Sequence, residues 1–514
     1  IVECGSKLAR TFSYGGGCGI DISNLRPTGS KVNNAAKTTS GAVSFMDFYS
    51  YITGLIGQSG RRGALMISIS CDHPDLEEFI ELKSNLDKVT KANISVRVSD
   101  NFMKSVINAE TLILKFITDT GEVITKEVEA YPIFRKLAEM NWDYAEPGIL
   151  FWDAIKNWNL LSNNPDFEYA GVNPCAEEPL PSGGSCLLGS INLAEFVTEC
   201  ETFDFAGFKD TVKKAVVALD EGLPLHPLIE QRESVKNWRQ IGLGVMGLAD
   251  MFIKLGIKYG SEESIKLINM IGTEMIFSAL ESSNELTISK GAYPMFNTKV
   301  VDTPFFQALN TKENNLRYQE LRSNVLLRGL CNSQLLTCAP TGSIATMLGI
   351  STGCEPIFAT SYTRKTESLV DKEKLYKVYT PIIQNNFISK GVPENQLPEY
   401  VVTSENIPYT ERIQVQAALQ RYIDASISST INLPESATID DVERIYRLAW
   451  EYHLKGVTVY RAGCKRGAIL SKKPMGSKEL MKRPESIDAK LIRFKNGTEN
   501  WIAFVGLVDD RPYE

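Results

Sequence analysis

Short runs of β-forming residues alternate with amphipathic helical stretches through most of the chain, and this alternation limits what it can fold into. Ala64-Leu65-Met66-Ile67-Ser68-Ile69-Ser70 reads as a strand, Asp75 to Lys83 as a helix, and Ile94-Ser95-Val96-Arg97-Val98 as the next strand. Such alternation points to an α/β fold. Further helices are expected over Ser44 to Gly57, Phe208 to Leu223, Ser261 to Lys290, Thr410 to Ser426 and Thr438 to Lys455, the last opened by a threonine cap and two early acids. At 514 residues the chain is long for one compact core, which admits several domains or one large α/β barrel. Ser471 to Lys478 reads as an exposed hinge, and Leu491 to Val508 as the start of a small β module.

Composition removes several classes of function. The hydrophobic fraction of 43% and charged fraction of 23% are those of a water-soluble globular protein. No apolar run approaches the ~20 residues that cross a bilayer, so no membrane partner is expected. A net charge of -7 without a basic block argues against nucleic acid. The ten cysteines have no short paired spacing, which suits a reducing cytoplasm where a disulfide is catalytic. Three histidines and no CxxC pair leave few zinc ligands, so no protein-held metal is expected. The chain opens at Ile1 without a methionine and reads as an internal piece of a longer polypeptide, so its lack of a targeting segment carries no weight.

The chemistry is concentrated in Asn173-Pro174-Cys175-Ala176-Glu177-Glu178-Pro179-Leu180, followed by Gly183-Gly184-Ser185-Cys186. Pro174 and Pro179 disfavour a regular helix. An extended backbone has period two and would present Asn173, Cys175 and Glu177 on one side. A lone cysteine in a loop is most often a buried spare thiol. An amide, a thiol and a carboxylate in alternation answer no packing need and instead face one bound molecule.

These residues resemble the finger loop of ribonucleotide reductase catalytic subunits, whose motif Asn-Pro-Cys-x-Glu is matched by Asn173, Pro174, Cys175 and Glu177. The resemblance runs over nearly the whole chain. It includes Tyr14-Gly15-Gly16-Gly17, Arg26-Pro27-Thr28-Gly29-Ser30, Gly60-Arg61-Arg62-Gly63-Ala64, Ser190-Ile191-Asn192-Leu193, Asn332-Ser333-Gln334 through Thr346, and Gly456-Val457-Thr458-Val459-Tyr460-Arg461. It implies a ten-stranded α/β barrel of two antiparallel five-stranded parallel halves, with the finger loop threading its centre. On that map residues 1–172 form the first half-barrel with effector-binding segments and 173–190 the finger loop. Residues 191–465 form the second half-barrel with a phosphate-binding segment, and 466–514 a linker and the start of a β-like module.

By the resemblance, Cys175 becomes a transient thiyl radical that removes the 3'-hydrogen of a ribonucleotide, Glu177 takes the 3'-hydroxyl proton and Asn173 orients that chemistry. Such a radical requires an enclosed, water-poor site. Cys186, eleven positions beyond Cys175, is implied as one half of the dithiol that reduces the 2'-carbon, reset by an external dithiol such as a thioredoxin-like protein. Its partner thiol maps just upstream of Ile1, and Cys4 is not taken as a substitute. Pro340, Thr341, Gly342, Ser343 and Ile344 lie at a helix start whose backbone N–H groups suit the substrate's phosphates. Gly17, in a glycine-rich turn, is a further substrate contact. A nucleoside triphosphate effector is implied at a homodimer interface against Ser6, Lys7, Leu8 and Arg26, with Lys88 in a communicating loop from Ser84 to Asn93. The common acidic residue near position 6 is Ser6 here.

Gly242-Leu243-Gly244-Val245-Met246-Gly247 fits GxGxxG, but the residues before it do not read as a strand, so these glycines are taken as sites of close helix packing. Large subunits that depend on a separate radical-generating subunit carry adjacent tyrosines where this chain reads Val459-Tyr460. The sequence is more similar to the class that uses adenosylcobalamin. The activity expected is cobalamin-dependent reduction of ribonucleotides, with diphosphates as the substrates, to 2'-deoxyribonucleotides for DNA synthesis. Two alternatives stand beside it: a large subunit dependent on a radical-generating partner, and a nucleotide-binding regulatory homologue without turnover. The intact Asn173, Cys175, Glu177 and Cys186 argue against the second.

Overall fold

A computed structural model describes residues 1–33, 35–58, 61–366, 374–465, 488–496, 499–508 and 511–512. The hinge expected at Ser471 to Lys478 and Gly60 of the Gly60-to-Ala64 motif lie outside the described residues. The chain divides into two compact units, residues 1–362 with 378–468 and residues 363–377 with 469–514.

In the first unit, strands β1 (Gly17–Asp21), β2 (Ala64–Ser70), β3 (Asn93–Val98) and β4 (Gly148–Phe151) pair in parallel, with Gly17 opposite Ala64, Ile67 opposite Ile94 and Val96 opposite Ile149. β2 is buried at five successive positions, as suits a parallel strand covered on both faces. A second parallel set holds β5 (Leu187–Asn192) with β6 (Ile241–Met246), and β7 (Thr430–Leu433) with β8 (Gly456–Arg461). Residues 334–338 run between them, since Leu243 bridges Leu336 and Cys338 bridges Ile427, both in parallel. β8 meets β4 in antiparallel register at Gly456 and Leu150, so the two parallel sets share one seam in a six-stranded sheet ordered β1-β2-β3-β4-β8-β7. The architecture is α/β. Among the described residues no ladder joins β1 to β5.

Each set carries its own helical cover. Leu65, Ile67 and Ile69 of β2 pack with Leu8 and Phe12 of helix Val2–Ser13, while Ile241, Leu243 and Val245 of β6 pack with Met275, Ile276 and Leu280 of helix Glu262–Lys290. Full burial of each such side chain contributes about 1.5–3 kcal/mol, which is what holds helices on strands. Met66 and Leu150 belong to a third cluster with Trp152, Tyr169 and Val172. Period two along β2 sends Met66 to the face opposite Leu65 and Ile67, and the stem of the loop at 173–178 packs there.

The GxGxxG glycines are corrected by this arrangement, because they lie in a strand and the turn after it rather than between helices. β6 is buried along its length, and Gly247 turns the chain with φ 70° into helix Leu248–Leu255. A Cβ on Gly244 would lie 2.6 Å from the Thr337 carbonyl oxygen. In the second unit, Asp488–Asn496, Glu499–Val508 and Arg511–Pro512 form a three-stranded antiparallel sheet. Among the described residues no helix is long and apolar enough to cross a membrane.

Candidate active site

Gly171–Val172 and Pro179–Leu180 pair antiparallel, so residues 173–178 are the tip of a hairpin. Asn173 N donates to Glu178 O at 3.1 Å, Ala176 N to Asn173 O at 3.0 Å, and Glu178 N to the Asn173 side-chain oxygen at 3.0 Å. Ala176 takes φ 65°. The extended, one-sided presentation expected from the alternation is therefore replaced by a turn. Cys175 is exposed at its apex while Glu177 is 2% exposed. Asn173 and Glu177 are still brought together, by a hydrogen bond between their side chains.

The hairpin is anchored on both parallel sets. Asn93 Nδ2 of β3 donates to Pro174 O at 3.2 Å, and Ser426 N and the Thr337 hydroxyl both donate to Glu177 O at 2.9 Å. Gly19 permits this crossing, since a Cβ there would sit 1.7 Å from the Val172 carbonyl oxygen. Gly17 serves the same crossing: a Cβ on it would meet Pro174 Cγ at 2.9 Å.

Although the residue reaches the surface, desolvation of its sulfur and then the nearby Glu177 push the Cys175 thiol up to about 12, so at neutral pH it keeps its hydrogen. Burial also raises the Glu177 carboxyl, opposed by the Asn173 hydrogen bond, and Glu177 Oε2 has no hydrogen-bond partner among the described residues. Glu178, unremarked in the motif, is buried and pushed up to about 8 by desolvation and by Glu177. The half-buried Cys186 hydrogen-bonds Glu178 and lies 3.8 Å from Gln334 Nε2. Burial first and Glu178 second raise its thiol well above the ordinary range. Glu178, Gln334 and Thr337 are the site residues that sequence reasoning missed. Two consecutive carboxylates between prolines were the signal for the first.

Thr337 also places the expected phosphate segment. Only residues 338–340 separate it from Thr341, so at about 3.3–3.6 Å per residue Thr341 lies within about 14 Å of Thr337. Thr341 takes φ 53° and its hydroxyl accepts from Gly353 N at 2.8 Å, which pins the start of helix Gly342–Leu348. Pro340 and Thr341 are half-buried, Gly342, Ser343 and Ile344 are exposed, and the space beside Gly342 is open.

The expected effector residues are not drawn into one cluster by any hydrogen bond or ion pair among the described residues. Ser6 and Lys7 are exposed on helix Val2–Ser13, where Lys7 pairs with Glu3 at 2.9 Å. Leu8 is 3% exposed, and its side chain packs in the core of the first set. Arg26 pairs with Asp119 and donates to Lys31 O at 3.1 Å, and Lys88 is exposed. Among the described residues no three His, Cys, Asp or Glu side chains converge as metal ligands.

A family profile described as ribonucleotide reductase, barrel domain, matches residues 1–460. The chain belongs to the ribonucleotide reductase family. A second profile, described as the NrdJ homologue C-terminal domain, matches residues 487–514, where the three-stranded sheet lies. The chain is 32% identical over 490 residues to a protein of Thermoplasma acidophilum named vitamin B12-dependent ribonucleoside-diphosphate reductase, covering 92% of this chain and 60% of that protein. A Mycobacterium tuberculosis protein of the same name is 32% identical over 487 residues, covering 90% and 66%. A Mycoplasma pneumoniae protein named ribonucleoside-diphosphate reductase subunit alpha is 25% identical, covering 85% and 67%. The chain thus spans 60% and 66% of the length of the first two relatives. The ribonucleotide reductase match takes in β1 to β7, the hairpin, the 339–346 segment and β8 as far as Tyr460.

Proposed function

We propose that this chain carries the catalytic core of a class II ribonucleotide reductase that converts ribonucleoside diphosphates to 2'-deoxyribonucleotides. One observation carries the reading. A protonated thiol, Cys175, stands open at the tip of a hairpin inserted between the two parallel strand sets, with the Asn173–Glu177 pair beneath it. On this reading the Cys175 thiyl takes the 3'-hydrogen and Glu177, whose Oε2 is unpartnered, accepts the 3'-hydroxyl proton. Cys186 supplies one thiol of the reducing pair, and the helix start at 341–344, with Pro340, holds the substrate's phosphates. The two parallel sets are read as halves of a ten-stranded barrel, 1–172 and 191–465, around the finger at 173–190, with 466–514 as linker and β module.

Adenosylcobalamin is the radical source in this reading. When bound, it would supply the radical chemistry that activates the Cys175 thiol. The thiol that would receive the radical is exposed and not ionised. Where the first tyrosine of a two-tyrosine relay would stand, the chain carries Val459, which is 0% exposed and belongs to an apolar core. The relatives named as vitamin B12-dependent support the same class. A homodimer with a nucleoside triphosphate at Ser6, Lys7 and Arg26, a loop carrying Lys88 that reports to the substrate base, a thioredoxin-like reductant and a cytoplasmic setting complete the proposal.

The test is an assay of the full-length protein with a ribonucleoside diphosphate and a dithiol, with and without adenosylcobalamin. Deoxynucleotide formed only when the cobalamin is present is the expected result. Product that ignores the cobalamin and waits for a second protein would move the chain to the two-subunit class. Product under neither condition would favour the regulatory homologue.

A further inference from the structure

Glu178 is a buried carboxyl with a built surrounding and, among the described residues, no cation hydrogen-bonded to it. Gln334 Nε2 donates to its Oε2 at 2.5 Å, and the same nitrogen lies 3.8 Å from Cys186 Sγ. The orientation of the Gln334 amide is supported by the buried Gln240, whose Nε2 donates to the Gln334 side-chain oxygen at 3.1 Å. Gly242 makes the room: a Cβ there would lie 2.5 Å from Glu178 Oε1. That Oε1 atom has no hydrogen-bond partner among the described residues, and the Cys186 thiol and the Thr337 hydroxyl are the other groups that interact with the carboxyl. A glutamine would satisfy Gln334 equally well and would avoid the cost of burying an acid. The carboxyl is therefore held against a thiol for a reason other than packing.

We propose that Glu178 is the proton carrier of Cys186. The proposal rests on the reading of Cys186 as a redox thiol. When an external dithiol attacks the disulfide that Cys186 forms in turnover, the S–S bond breaks and the Cys186 sulfur leaves with the electron pair. Glu178 gives that sulfur its proton and is reprotonated from solvent. The external dithiol ends as a disulfide, oxidised by two electrons, and the protein's disulfide ends as two thiols. A carboxyl pushed up to about 8 is protonated at rest near neutral pH and can give up its proton there. The other ionisable groups that bear on this pair are Glu177, Asp424, Lys455 and Tyr169.

The test compares the pH dependence of iodoacetamide alkylation at Cys186, read by mass spectrometry of the Cys186 peptide, in wild-type protein and Glu178→Gln. Glu177, Asp424 and Lys455 remain in both, so the difference isolates Glu178. The profiles are expected to coincide below about pH 7 and to diverge above it, with the variant about tenfold faster at pH 9, because it lacks the charge that holds the thiol protonated. Superimposable profiles would overturn the proposal. If the variant fails to fold, the wild-type profile decides alone: a rise shallower than about tenfold per pH unit between pH 7 and 9 supports the coupling, and a full tenfold rise overturns it. In nucleotide reduction driven by a dithiol, Glu178→Gln should lower steady-state turnover about tenfold relative to the first turnover of pre-reduced protein. Absence of any reduction by the wild-type protein would sink the parent reading and the reset role, while the alkylation profiles would still report whether the carboxyl and the thiol are coupled.

Discussion

Glu177 and Glu178 are adjacent in the chain, equally buried, and held in different ways. Glu177 is bonded to Asn173 through its side chain and fixed through its carbonyl by Ser426 and Thr337, with one oxygen left open. Replacing Glu177 by Gln keeps that frame and removes the proposed base, so turnover should fall about 10²–10⁴-fold with the fold intact by circular dichroism. Glu178 also shapes stability. Its folded pKa, about 8, lies above the ordinary 4.5, so the folded chain holds this proton more tightly. Its contribution to stability is fully present below about pH 4.5 and is lost as the pH rises through about 8. Urea unfolding midpoints should decline across that window, and Glu178→Gln should flatten the decline and add about 1–3 kcal/mol near pH 9.

At the scale of elements, the hairpin depends on a glycine in the strand it crosses. Gly19→Ala would put a methyl group 1.7 Å from the Val172 carbonyl oxygen, and backbone cannot yield as a flexible side chain does. The hairpin must then move by an ångström or more, which should cost about 10²-fold in turnover, measured against an unfolding curve that shows the protein still folded. Elements of this kind were only partly legible in the sequence. β2 was plain because seven β-forming residues in a row suit a covered parallel strand. β6 was not, because Gly242 and Gly244 lower strand propensity, and only the neighbours Leu188, Thr337 and Glu178 give those glycines their purpose. The chemistry of Asn173, Cys175 and Glu177 could be read from residue types. Their geometry could not, since the turn is set by Ala176 at positive φ and by hydrogen bonds from residues some 160 to 250 positions away. Glu178 escaped notice for the same reason, its role resting on Gln334, Gln240 and Cys186.

For the whole molecule, the two parallel sets meet at β4 and β8, and the start of β8 is tied to the other strands of its set by buried hydrogen bonds. Lys455 donates to the carbonyls of Asp424 and Ala425, and the Asp424 carboxylate accepts from Leu335 N at 2.9 Å and Leu336 N at 2.7 Å. Burial lowers the Lys455 pKa and raises that of Asp424; the Leu336 and Leu335 N–H groups and then Lys455 oppose the shift at Asp424, and Asp424 and then Glu178 oppose it at Lys455. Lys455→Met should cost about 1–3 kcal/mol in urea unfolding, because it leaves the buried carbonyls of Asp424 and Ala425 without their donor. These ties serve the hairpin, which both sets hold in place and which presents Cys175. The most direct measurement is therefore the turnover of Cys175→Ser with a ribonucleoside diphosphate, adenosylcobalamin and a dithiol. The account predicts no deoxynucleotide above background from a variant that unfolds at the wild-type midpoint. Turnover retained at a tenth of the wild-type rate or more would contradict it.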